Sequence, residues 1–336
     1  MNARQIDILK QPIPTLLATF ALLATSQTLR AVRLPYPAEN LSGALSPVGA
    51  WIDTIGGGTM GIVVVLLAVL LASLIITRII SRYSLSVIRS LVPMVLFSIC
   101  VCGVVLPIGS PALMLSVLMI VHATELMIMS FKRTERFSEV MRAAFWTGLA
   151  ALIVPDLVYV ALLLPIQWLI WQRSPREMVA GIIMLFLPLL PASYLWWQGG
   201  KEFGWLTSEW CAALSPITPI DFAALYSSIG GLMTTILFGI LSLLTLASIV
   251  VFLGGFGSMR IRARKGHLYF TLLYLVGTLM LLLGIPAAVA VSVMGFASVP
   301  LIHTFFVRRE GALSALIYIL ILLATLFTAA YPLLVA

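Results

Sequence analysis

Arg30, Arg33, Glu39 and Asp53 fall in one polar stretch between two apolar runs. A carboxylate there could take a proton from an acceptor hydroxyl, and an arginine could stabilise a departing phosphate. At a membrane surface, that pairing suits sugar transfer from a lipid-linked donor. The plain alternative is a polar loop whose charges are hydrated. Asp156 follows Pro155 where two apolar runs meet. A carboxylate at membrane depth is costly unless it faces water or a partner, which makes Asp156 a site candidate. Its structural reading is a helix cap accepting backbone N–H groups.

A second polar stretch, residues 198–228, carries Lys201, Glu202, Glu209 and Asp221. These residues would complete a pocket with the first stretch, residues 30–58, if the fold brings the two together. His122 and Glu125 are three residues apart, so they share one helix face. They read either as a proton-relay pair or as a polar clasp, with Arg78 or Arg82 within reach of Glu125. Two such ligands do not make a metal site. No metal spacing and no phosphate-binding loop appear: Gly56-Gly57-Gly58 lacks the following Lys-Ser/Thr and reads as a turn. Cys100, Cys102 and Cys211 read as small buried hydrophobes.

The elements that must position these groups are membrane helices. The 336 residues are 61% hydrophobic and 10% charged, against roughly 25% charged in soluble domains. Lipid is the natural solvent for such a chain. Its net charge of +8 resides in short clusters between apolar runs, a pattern that grips an anionic membrane surface, so no nucleic-acid partner is expected. Apolar runs predict an all-α, single-domain polytopic protein over 1–336, with spans at 12–29, 59–77, 90–107, 112–130, 143–155, 156–172, 178–197, 229–251, 268–285, 287–306 and 313–334. The first run follows Arg4 and Lys10 without a good cleavage site, so it is expected to be a retained helix. Residues 143–172 read as a bent hairpin turning at Pro155-Asp156, because a residue before proline resists the helical region. The alternative is one kinked helix.

Charge decides between them. With a cytoplasmic N-terminus, the hairpin parity puts 17 of the 20 basic residues on the inner face, leaving only Arg30, Arg33 and Lys201 outside. Glu39, Asp53, Asp156, Glu202, Glu209 and Asp221 then all lie outside. The expected location is the cell inner membrane with a periplasmic C-terminus. No internal repeat appears, so an inverted-repeat transporter has no support.

The stretch from Ser90 to Trp197 resembles the middle of GT-C glycosyltransferases, polytopic enzymes that use polyprenyl-phosphate sugars. The resemblance is carried by Phe131-Lys132-Arg133 to Arg142, then Ala143-Ala144-Phe145-Trp146-Thr147-Gly148-Leu149-Ala150-Ala151-Leu152-Ile153-Val154-Pro155-Asp156, an apolar return to Trp171, and Arg173 to Arg176. In length and segment order the chain also resembles a family of polytopic membrane proteins from Bacteroidota. The GT-C resemblance implies a GT-C-like fold with its active site on the non-cytoplasmic face. Glu39 would be the base, Asp53 and Asp156 further acids, and Arg30, Arg33, Lys201 and Glu209 would contact substrate. The loop lacks the adjacent acidic pair common in that class. The implied function is a glycosyltransferase of envelope assembly, or a degenerate relative, with membrane lipids and a polyprenyl-phosphate-linked sugar as partners and no cofactor. The rivals are a non-catalytic subunit bound to other inner-membrane proteins and a proton-coupled transporter built on His122 and Glu125.

Overall fold

The computed structural model describes residues 12–33, 45–56, 59–83, 85, 90–105, 110–131, 137–214, 232–308 and 312–335. Every regular element among them is helical. In chain order these are α1 (Pro12–Arg33), α2 (Pro47–Ile55), α3 (Thr59–Arg82), α4 (Val92–Cys100, continued by a π-helical turn at Val101–Val105) and α5 (Pro111–Ser130). Next come α6 (Phe137–Ile153), α7 (Val158–Ala161), α8 (Leu164–Ile170), α9 (Pro175–Phe186), α10 (Leu189–Gln198) and α11 (Trp205–Ala213). The last four are α12 (Leu232–Gly254), α13 (Ile261–Leu282), α14 (Ala287–Arg308) and α15 (Ala312–Val335).

Among the described residues, six helices are long and apolar enough to cross a membrane: Met60–Arg82, Pro111–Ser130, Pro175–Gln198, Leu232–Gly254, Ile261–Leu282 and Ala287–Val307. Shorter apolar helices occupy Pro14–Ala24, Val92–Val105, Pro155–Ile170 and Ser314–Thr328. Each of the eleven expected runs therefore meets helix, but six reach spanning length and apolarity. The outward faces agree with a lipid solvent. Val63, Leu67, Leu71 and Leu74 form an exposed stripe on α3, and Leu243, Leu246 and Val250 do so on α12. Hydroxyls in the interior donate back into their own helices, as Thr77 does to Ser73, Ser116 to Ala112, Thr147 to Ala143 and Thr245 to Leu241. Without water, each such group needs a partner inside the protein. This is an all-α membrane protein.

α5 and α14 are the most buried of the long helices. α5 lies against α3 and α6, and α14 against α13 and α12. Two glycines let helices close tightly in the middle of the chain. A side chain at Gly148 of α6 would strike the Leu185 carbonyl of α9, and one at Gly181 of α9 would strike the Trp168 ring of α8. Gly148 thus admits backbone-to-backbone contact and Gly181 admits an aromatic ring against the helix, the close van der Waals packing that holds helices together in lipid.

The contacts also fix the course of residues 137–171. Ile153 meets Ser46 at the end of the molecule where Asp53 bonds the first turn of α5. Trp171 packs its ring against Phe131, just past the other end of α5, with centroids 5.3 Å apart. The chain therefore doubles back at Pro155. Its first arm begins earlier than the expected 143, at Phe137, because the polar turn Ser138-Glu139 extends the helix without adding apolarity.

The cations stacked on aromatic rings and the acids Asp53, Asp156 and Glu209 lie at opposite ends of this axis. Around the Phe131 end, Arg262 lies over the rings of Tyr83 and Phe131 at 5.4 and 5.5 Å, and Lys265 over Phe131 at 5.1 Å. Arg173 and Glu177 pair at 3.6 Å, where Ser174 and Glu177 form a capping box that starts α9. Asp53, Asp156 and Glu209 belong to the opposite end, with the elements that meet Ala151 and Ile153.

Candidate functional site at the hairpin tip

α6 stops because Pro155 cannot continue it, and Val154 before it is extended at φ −123°, ψ 97°. A helix that ends this way leaves its last carbonyls without intrahelical donors. Here the donors come from elsewhere in the chain. The Trp210 indole Nε1–H of α11 donates to the Ala151 carbonyl at 3.0 Å. The Ser46 amide, just ahead of α2, donates to the Ile153 carbonyl at 3.2 Å. Gly49 then passes directly over that carbonyl, leaving no room for a side chain. The two polar segments singled out in the sequence thus dock on the same turn of α6.

α2 is a deliberate clamp. Ser46 caps it by accepting from the Gly49 amide at 3.2 Å, with Pro47 in the first helical position. From its last turn, Asp53 accepts a hydrogen bond from the Ala112 amide at 2.8 Å, at the start of α5. Ser110 accepts from Leu113 at 3.3 Å beside it. Asp53 is therefore a tertiary cap, its negative charge placed at the positive end of a buried helix. Burial raises its pKa above the ordinary carboxylate value, and the Ala112 N–H and Ser110 hydroxyl pull it part of the way back.

Asp156 occupies the tip, half-buried in the single 3₁₀ turn Pro155–Leu157. That turn has no side-chain cap, and the Asp156 carboxylate has no hydrogen-bond or ion-pair partner among the described residues. The cap expected of Asp156 at the start of the second arm is not made, and the carboxylate cap that Asp53 forms belongs to a different helix, α5. Glu209, half-buried on α11, precedes the docking Trp210, while Lys201 and Glu202 are exposed in the turn between α10 and α11. That turn is pinned by Trp196 and Trp205, stacked 5.1 Å apart at 13°. Arg30 and Arg33 end α1; Glu39 and Asp221 lie outside the described residues, as do Gly57 and Gly58.

His122 and Glu125 stand away from this tip. Glu125 is buried, 3.1 Å from Arg78 Nε and 3.7 Å from His122 Nδ1. The Arg78 contact is a charge pairing rather than an aligned hydrogen bond. His122 also packs edge-on against Trp146 at 5.6 Å. This clasp joins α3, α5 and α6 and approaches none of the tip residues named above.

The cysteines divide. Cys100 and Cys102 are buried, but Cys211 is exposed, because Trp210 takes the inward face of short α11 and its neighbour turns away. Sequence reasoning passed over Ser46 and Trp210, whose partners lie far along the chain. It also passed over the buried pairs His267–Thr304 and His303–Ser90, at 3.0 and 3.1 Å. Among the described residues no group of three or more potential metal ligands occurs. Comparison with family models, with curated proteins and with solved structures finds no match to this chain.

Proposed function

We propose that the chain is an eleven-span inner-membrane protein that works at its non-cytoplasmic end as a GT-C-like transferase, moving a sugar from a polyprenyl-phosphate carrier. The observation that supports this best is the Asp156 carboxylate at the hairpin tip, unpaired among the described residues, with both polar segments docked on the turn beside it. A carboxylate without a partner is free to accept a proton from an acceptor hydroxyl. Asp156 and Glu39 share the acid–base role in this reading. Asp53 leaves it, because its oxygen is engaged at α5. Arg30, Arg33 and Lys201 would hold the carrier phosphate, with Glu209 contacting the sugar or acceptor.

The test is sugar transfer in proteoliposomes from a synthetic polyprenyl-phosphate sugar. Asp156→Asn and Glu39→Gln are each expected to lower the rate by about 10²-fold or more while the protein stays monodisperse. Wild-type rates in both variants would remove these residues from the reaction. The engagement of Asp53 in a structural cap favours a second reading, a non-catalytic subunit of an envelope-assembly complex. That reading predicts no transfer by the wild type and a stoichiometric partner after mild detergent extraction.

A further inference from the structure

Where the returning arm of the hairpin meets the bundle, Gln167 of α8 is 3% exposed, and its amide Nε2 has no hydrogen-bond partner among the described residues. An amide donor left so in an apolar interior has given up its hydration without a replacement. Gln167 lines a small cavity with Thr124 and Met127 of α5, Thr147 of α6 and Tyr269 of α13. The space open to the centre of a water molecule there is about 10 Å³, close to the lower limit for one water. The polar groups around it have capacity to spare. Thr124 Oγ1 and Tyr269 Oη are 3.3 Å apart, a long contact that uses one donor between them. Thr147 donates to Ala143 at 2.9 Å, which leaves its hydroxyl oxygen free to accept.

We propose that this cavity binds a single water molecule, which accepts from Gln167 and donates to the hydroxyls of Thr147 and the Thr124–Tyr269 pair. With the Gln167 amide turned over, the same water would donate to its oxygen, so the site does not depend on the amide's orientation. The water would tie α8 to α5, α6 and α13, and it would satisfy the Gln167 amide that the hairpin's second arm carries into the core. The inference is independent of any transfer activity.

Hydroxyl-radical footprinting by brief X-ray irradiation of the detergent-solubilised full chain, read by mass spectrometry, tests it. Radicals form from the bound water itself and oxidise what it touches. Met127 lines the cavity, whereas Met280 is equally buried at 0% and lines neither this cavity nor the larger one around Cys100. The expected result is Met127 oxidation several-fold faster than Met280 in the wild type, falling to the Met280 rate in Gln167→Leu. Equal slow rates in the wild type would overturn the inference without recourse to the variant. So would fast Met127 oxidation that persists in Gln167→Leu, since the labelling water would then not be held by Gln167.

Discussion

The carboxylate of Asp53 takes an N–H from α5 while burial works against its charge, and these opposing effects can be separated by substitution. Asp53→Ala removes the cap and is expected to cost about 1 kcal/mol in detergent unfolding. Asp53→Asn keeps an acceptor for the Ala112 amide and should match the wild type at neutral pH or exceed it. The pH dependence has a definite sign. The folded pKa is raised, so the folded state binds the proton more readily, and the stability this contributes is lost as pH rises through the folded value. The wild type should therefore gain on Asp53→Asn as pH falls from about 7 towards about 4; a gap that widens the other way would contradict the assigned burial effect. At the other end, Arg78→Gln leaves Glu125 buried without its cation. It should cost about 1–3 kcal/mol, held down by the partial exposure of Arg78, and Arg78→Gln/Glu125→Gln should recover part of that. Helix parity made the approach of Arg78 to Glu125 legible in the sequence. The Asp53 cap was not, because it links residues 59 apart through a backbone amide that no local pattern reveals.

The hairpin tip is an element whose ends are held by other elements. Trp210→Phe keeps the ring but deletes the donor to Ala151, with an expected cost of about 1 kcal/mol. The sharper readout is proteolysis: freeing α11 should speed cleavage in the turn at residues 199–204, and unchanged cleavage would mean the indole bond does not hold the segment. Gly148→Leu should be far more damaging, because the added side chain meets backbone rather than a yielding side chain. Its expected outcome is loss of monodisperse protein on size-exclusion chromatography. The break at Pro155 and the reversal of the chain were readable from proline chemistry and charge. The start of α6 at Phe137 was not, because apolarity ends at Arg142 while helical hydrogen bonding continues through polar residues.

Over the whole molecule, the folded chain draws its aromatic-stacked cations to one end and Asp53, Asp156 and Glu209 to the other. The apolar runs made the all-helical membrane class legible, but helix length alone could not, since several segments are short and acquire their place only by packing. The proposed site requires that the acidic end face away from the cytosol. Native Cys211 reports on this directly, being exposed on α11 at that end while Cys100 and Cys102 are buried. A membrane-impermeant maleimide should label Cys211 in cells whose outer membrane has been permeabilised and should fail to do so in inverted inner-membrane vesicles. Labelling confined to the inverted vesicles would place the hairpin tip in the cytosol and contradict the account.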